Sequence, residues 1–223
     1  MKLPRRPKAV IFDMDGTLID TIPVYAEAMV QAGTDVGCNV SREYVLSLVG
    51  LLGSELKARI VADHGDAFPI DDYLSAMSAR IGPLLLGKVP LKPGAIELIE
   101  DLLRFKMPLA IATSMKRSEA EHHLATAGLR SSFRHIAARD DVAYGKPHPD
   151  VYLKAASDLG VEPELCLALE DSFNGVRAAS SAGAMTIMVP DVLSPTQEIE
   201  RLCVCVASNL HEVREIFCAA TDA

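Results

Sequence analysis

Two aspartates, Asp13 and Asp15, stand at i and i+2 in the run Phe12-Asp13-Met14-Asp15-Gly16-Thr17-Leu18-Ile19-Asp20-Thr21. In an extended chain that spacing points both carboxylates to the same side. Charges held so close repel, and one carboxyl keeps its proton unless a cation intervenes. Both outcomes have a chemical use. A metal would keep one carboxylate ionised, while the other would carry a proton. A calcium loop of the EF-hand kind also contains an acidic pair followed by glycine, but it needs a carboxylate at its twelfth position. Counting from Asp13 reaches Val24, and a strand precedes the motif where a helix should be.

Three later stretches add polar groups. Glu170-Asp171 ends the apolar run LCLALED and is followed by Ser172-Phe173-Asn174-Gly175. Asp171 or Ser172 is suited to cap the next helix. The pair is equally suited to join Asp13 and Asp15 around Mg²⁺, which takes few carboxylates and keeps water and substrate phosphate as its other ligands. Thr113 and Ser114 end PLAIATS. They read either as a helix cap or as a hydroxyl plus free amides that hold a phosphate. Lys146 lies in Tyr144-Gly145-Lys146-Pro147-His148-Pro149-Asp150, as an exposed loop charge or as the cation that neutralises a phosphoryl oxygen. Lys116 and Arg117 follow the Thr113 turn, as a solvated helix start or as the grip on a distant anionic group.

These groups need a frame that brings strand ends together. Short apolar runs recur at 8–13, 108–114, 165–171, 184–190 and 202–208. Each is apolar on both faces, the mark of a strand buried in a parallel sheet. Helical stretches lie between them, and three run into Gly128, Gly160 and Gly183. In GAIELIEDLLRF, Ile96, Ile99, Leu102 and Leu103 are expected on one buried face. The alternation predicts an α/β fold: a Rossmann-like, mostly parallel sheet flanked by helices. Residues 21–89 interrupt it with helical patterns only, so an all-helical insertion is expected there, with a core formed by 1–20 and 90–223. Open α/β sheets bind ligands at the carboxyl ends of their strands, where Asp13 falls.

Composition narrows the partners. The 223 residues include 22 Lys+Arg against 30 Asp+Glu, a net charge of -8, which argues against a broad nucleic-acid or anionic-membrane surface. Apolar runs of a few residues are too short to span a bilayer. The apolar stretch near the start is ended by Asp13 after four residues, too short for a signal-peptide core of about 7–15. Cys38, Cys166, Cys203, Cys205 and Cys218 are an odd set with no CxxC pair, which suggests reduced thiols in a cytoplasmic protein. Cys203 and Cys205 are expected on one face of the last strand.

The sequence resembles the haloacid-dehalogenase-like superfamily of phosphotransferases. The match runs from DxDGTLxD (Asp13 to Asp20) through Thr113 and Lys146 in GKPxPD to Glu170-Asp171, and covers essentially the whole chain. The helical block 21–89 looks like the small cap of the branch that contains β-phosphoglucomutase and many sugar-phosphate phosphatases. The resemblance implies a Mg²⁺-dependent phosphatase acting on a small phosphorylated metabolite, a sugar phosphate or similar ester, with a phosphomutase or a non-catalytic binding module on the same fold as the alternatives. By it, Asp13 forms an aspartyl-phosphate and Asp15 serves as acid and then base. Mg²⁺ would be held by Asp13, the Asp15 backbone carbonyl, Asp171 and Glu170, the last directly or through water. Thr113 and Lys146 would hold the transferring group. It also implies that the cap sets specificity, with Tyr25, Gly50 and Leu51 facing substrate from the cap, and Ser114, Lys116 and Arg117 from the core. Leu51 and Leu52 equally suit the cap's own core. The connectors near 20–23 and 86–93 would hinge the cap. A dehalogenase would lack Asp15. A mutase would have histidine where this chain has Tyr25, and arginine just after a cap glycine where it reads Gly50-Leu51-Leu52-Gly53.

Overall fold

The computed structural model describes residues 3–48, 51, 53–87 and 89–221. In chain order the elements are β1 (Ala9–Phe12), α1 (Ile22–Asp35), α2 (Arg42–Ser47), α3 (Gly53–His64), α4 (Ile70–Gly87), α5 (Ala95–Arg104), β2 (Leu109–Ala112), α6 (Arg117–Thr126), β3 (His135–Ala137), α7 (Asp150–Leu159), β4 (Cys166–Glu170), α8 (Phe173–Ser181), β5 (Met185–Met188), α9 (Gln197–Leu202), β6 (Cys205–Val206) and α10 (Leu210–Thr221). The chain forms two compact units: residues 1–20 with 90–223, and residues 21–89.

The first unit carries a six-stranded, all-parallel sheet in the order β3-β2-β1-β4-β5-β6. The strand order reverses at β1, so the crevice beyond the ends of β1 and β4 is the topological switch point. Every residue of β1, β2, β4 and β5 is buried, which is why these runs are apolar on both faces. Beneath the strands lies a cluster of small residues, Ala110, Ala112, Ala155, Ala156, Ala168, Ala178 and Ala179 among them, that lets α7 and α8 approach the sheet closely.

The sheet and α5 differ from the expected pattern in several places. A sixth strand, β3, comes from His135-Ile136-Ala137, a run too short to stand out from its loops. The last strand is only Cys205–Val206, because α9 extends to Leu202. Cys203 therefore caps α9 instead of sharing a strand face with Cys205. The buried stripe of α5 is Ala95, Leu98, Ile99 and Leu102, while Ile96 and Leu103 are exposed. The stripe keeps the i, i+3, i+4, i+7 pattern but is rotated from the expected face.

The points where the chain leaves and re-enters the first unit are tied together. Asp20 N–H donates to Pro90 O at 2.9 Å and Lys92 N–H to Leu18 O at 3.0 Å, with a bridge between Ile19 and Leu91. The Lys92 ammonium adds an ion pair with Asp191 at 2.5 Å. These bonds hold 90–92, part of an expected hinge, within the first unit.

The second unit consists of α1–α4. Its core gathers Ala26, Met29, Ala32, Val40, Val45, Leu48, Ile60, Phe68 and Tyr73. Arg80 of α4 grips Asp35 of α1 with two nitrogens at 2.5 Å. Among the described residues no helix is long and apolar enough to cross a membrane.

Candidate active site

Asp13 follows β1 directly and its N–H donates to Leu169 O of β4 at 2.9 Å, so the ladder carries the aspartate to the end of the sheet. Thr113 follows β2 and is held the same way by Ala137 O of β3 at 2.9 Å. Glu170 is the last residue of β4, wholly buried. One ligand oxygen each from Asp13, Glu170 and Asp171 lies within 4.8 Å of the others.

Lys146 closes the group. Its ammonium donates to Asp13 Oδ1 at 2.5 Å, Glu170 Oε1 at 2.5 Å and Ala112 O at 3.0 Å. Its side chain is 6% exposed, so the loop-charge alternative does not describe it.

The turn after Asp13 needs glycine at position 16. Gly16 has φ of 85°, and a Cβ there would lie 2.3 Å from Asp171 Oδ2. The turn is closed by Ile19 N–H donating to Met14 O at 2.8 Å and Gly16 N–H to Ile19 O at 2.9 Å. Thr17, fully buried, donates its hydroxyl to Asp171 Oδ1 at 3.2 Å. Glu170 is equally confined, for a Cβ at Gly175 would meet its carboxylate at 1.9 Å. The expected cap on α8 is Ser172, whose Oγ accepts from Gly175 N–H at 3.0 Å.

Burial sets the electrostatics. It pushes the Asp13 carboxyl well above its ordinary value; Lys146 works against the rise, and Glu170 and Asp171 add to it. Asp171 is pushed up to about 7, by burial and then by Glu170. Asp15, half-buried, is raised to about 6 by burial, with Lys146 opposing and Glu119 adding. Burial alone would lower the Lys146 ammonium, but Asp13 and Glu170 outweigh it and raise it above its ordinary value. Three clustered carboxylates against one ammonium leave an excess of negative charge in a desolvated pocket. That donor set, all hard oxygens, fits a divalent cation. The Asp15 side chain is not among the three clustered carboxylates.

A family model described as haloacid dehalogenase-like hydrolase matches residues 7–183. The chain belongs to this family. It is 34% identical over 198 residues to hexitol phosphatase B of Escherichia coli K12, covering 85% of this chain and 86% of that one. A haloacid dehalogenase family hydrolase of Deinococcus radiodurans R1, solved with bound phosphate and sodium, superposes with a TM-score of 0.80 at 30% identity, covering 96% of each chain. CbbY of Rhodobacter sphaeroides, solved with phosphate, gives a TM-score of 0.69 at 32% identity over 93% of this chain and 96% of that one.

The other expected site residues of the hydrolase lie around this cluster's strand ends or in the second unit. Ser114 and Lys116 are exposed at the turn and helix start after β2. Thr113 Oγ1 accepts from Met115 N–H at 3.1 Å and does not cap α6, which begins at Arg117. Arg117, expected to face substrate, is instead gripped by Asp141, at 2.5 Å and 3.1 Å, and donates to Ile136 O at 2.6 Å. Its guanidinium joins α6 to the loop after β3, because a planar fork matches a carboxylate there. Tyr25 lies in the first turn of α1, half-exposed. Leu51 packs on the core of the second unit. Gly50 and Leu52 lie outside the described residues.

Two contributors escaped the sequence reading. Thr17 was in the motif, but nothing in its spacing assigned its hydroxyl to Asp171. Tyr152 reads as one more apolar-face residue of α7, yet its hydroxyl reaches Glu170 Oε1 at 2.6 Å.

Proposed function

We propose that this hydrolase is a Mg²⁺-dependent phosphomonoesterase that releases phosphate from a small phosphorylated metabolite, a sugar phosphate or a similar ester. The observation that carries the reading is the convergence of Asp13, Glu170, Asp171 and Lys146 at the switch point of the sheet. The ion would be held by Asp13, Asp171 and the Asp15 backbone carbonyl, with Glu170 beside it. When bound, it supplies the positive charge that lets a phosphate dianion approach a carboxylate.

The chain's own residues do the rest. Asp13 attacks phosphorus, and the phosphorus–oxygen ester bond breaks as the aspartyl-phosphate forms. Asp15, raised to about 6, is partly protonated near neutral pH and gives its proton to the leaving oxygen. The resulting carboxylate takes a proton from water as that water attacks the phosphoryl group, which frees Asp13 and phosphate. Lys146 and Thr113 steady the charge on the transferring oxygens. Residues 21–89 are assigned the part of a cap that chooses the substrate, with Tyr25, Gly50 and Leu51 as candidates; Ser114 and Lys116 are candidates from the core. The five thiols, none of them in a disulfide, fit a reducing, cytoplasmic setting.

The names of relatives support a sugar-phosphate class, hexitol phosphatase B among them. The test is phosphate release from an aryl phosphate and from a panel of phosphorylated metabolites, in Mg²⁺ and after chelation. Asp13→Asn should abolish turnover, and retained turnover in that variant would overturn the reading. Interconversion of a sugar phosphate without net release would point to a mutase instead.

A further inference from the structure

We infer that Tyr152 is a positioning residue: its phenol keeps the Lys146 ammonium shared between Asp13 and Glu170. The inference rests on the phosphatase reading and deepens it.

An ammonium has three N–H groups, and Lys146 has committed all of them, to Asp13 Oδ1, Glu170 Oε1 and Ala112 O. Asp13 and Glu170 thus compete for one cation. The Tyr152 hydroxyl donates to Glu170 Oε1, the same oxygen that Lys146 uses, at 2.6 Å. The other oxygen, Oε2, accepts from Asp171 N–H at 3.2 Å, Ser172 N–H at 3.3 Å and Ser172 Oγ–H at 3.1 Å. Two backbone amides and the Ser172 hydroxyl thus anchor one side of Glu170, and on the other the phenol is, among the described residues, the one side-chain donor besides Lys146 itself.

A carboxylate oxygen that already accepts a strong hydrogen bond attracts a second donor less. The phenol therefore weakens the hold of Glu170 on Lys146. Without it, Oε1 would draw the ammonium toward Glu170 and away from Asp13, where the transferring oxygens must be met. The ring centroid of Tyr152 lies 5.2 Å from the ammonium, close enough for a cation–π contact. Phenylalanine would fill the same buried place among Ala112, Ala155 and Ala168 with no polar group to satisfy. A hydroxyl at this depth is tolerated because it meets a carboxylate.

The test is Tyr152→Phe, which keeps the ring and removes the hydroxyl. A crystal structure of the metal-free variant should show the Lys146 ammonium more than about 3.5 Å from Asp13 Oδ1 and still on Glu170. With an aryl phosphate in Mg²⁺, kcat should fall about tenfold, as when a supporting hydrogen bond is removed, with KM within about twofold. An unmoved Lys146, a displaced Lys146 with full kcat, or a variant that fails to fold would each overturn the inference. A wild-type protein that releases no phosphate would sink the phosphatase reading instead, and the position of Lys146 in the variant would still decide on Tyr152.

Discussion

Lys146 and Asp13, 133 positions apart in the chain, meet at 2.5 Å in a place that water barely reaches. Neither charge is stable there alone, so each is the condition for the other's burial. Lys146→Met should cost about 3–5 kcal/mol in the metal-free protein, measured by chemical denaturation, because Asp13 and Glu170 lose their cation together. Turnover of an aryl phosphate should fall at least about a hundredfold. A variant as stable and active as the parent would contradict the role given to this pair.

The acidic cluster makes stability depend on pH in a direction that separates it from ordinary carboxylates. Asp171 is raised in the folded protein from 3.8 to about 7. The folded state therefore binds the proton more tightly. The stability this contributes is present below the unfolded value and lost as pH rises through about 7. Asp13 shifts in the same direction. His123, held below its ordinary value by burial, works the other way in mildly acid solution. Thermal melting with chelator should show Asp171→Asn flattening the fall in stability between about pH 4 and pH 7. Added Mg²⁺ should stabilise the parent more at the higher pH, where it replaces protons. Equal slopes in parent and variant would refute this.

Four helices of the first unit end alike. After α6, α7 and α8, Gly128, Gly160 and Gly183 take positive φ, and the next N–H reaches back to a carbonyl in the last turn. After α5 the same position is Lys106, at φ of 55°, with Met107 N–H donating to Leu102 O at 2.9 Å. A non-glycine residue in this conformation costs roughly 1–2 kcal/mol, and glycine returns part of that through greater unfolded-state freedom. Lys106 is exposed, so Lys106→Gly should raise stability by about 0.5–1 kcal/mol in urea denaturation with activity unchanged. A loss of stability would mean that the lysine side chain contributes more than its backbone costs.

In the second unit, the buried hydroxyl of Tyr73 has no hydrogen-bond partner among the described residues. Its ring packs edge-on against Phe68 at 5.2 Å, a contact that phenylalanine would keep. Tyr73→Phe should therefore stabilise the protein by about 1 kcal/mol, seen as a raised denaturation midpoint. A lowered midpoint would reveal a solvent partner for the phenol.

Much of this arrangement was legible because a few residue types have few places to go. Runs such as Ala9–Phe12 and Cys166–Glu170 are apolar on both faces, which only a covered parallel strand tolerates. Asp13, Asp15, Glu170 and Asp171 stood out as charges next to such runs, and Lys146 as a charge set between glycine and proline. What escaped depended on contacts between distant segments. Three residues, His135–Ala137, become a strand only because β2 offers them an edge. Arg117 looked free to greet an anion until Asp141 came within reach. Ile96 and Leu103 share a spacing with the true stripe of α5 and differ from it only in rotation about the axis. Tyr152 became a polar residue only when the fold brought it to Glu170.

The ties between 18–20 and 90–92 give the helical segment a common doorway. Its entrance and exit lie one hydrogen bond apart, so the sheet is indifferent to how many residues pass through. A different block, longer or shorter, can be grafted at that spot without disturbing β1. The helical segment and the sheet that carries it can thus diverge at separate rates within one gene product.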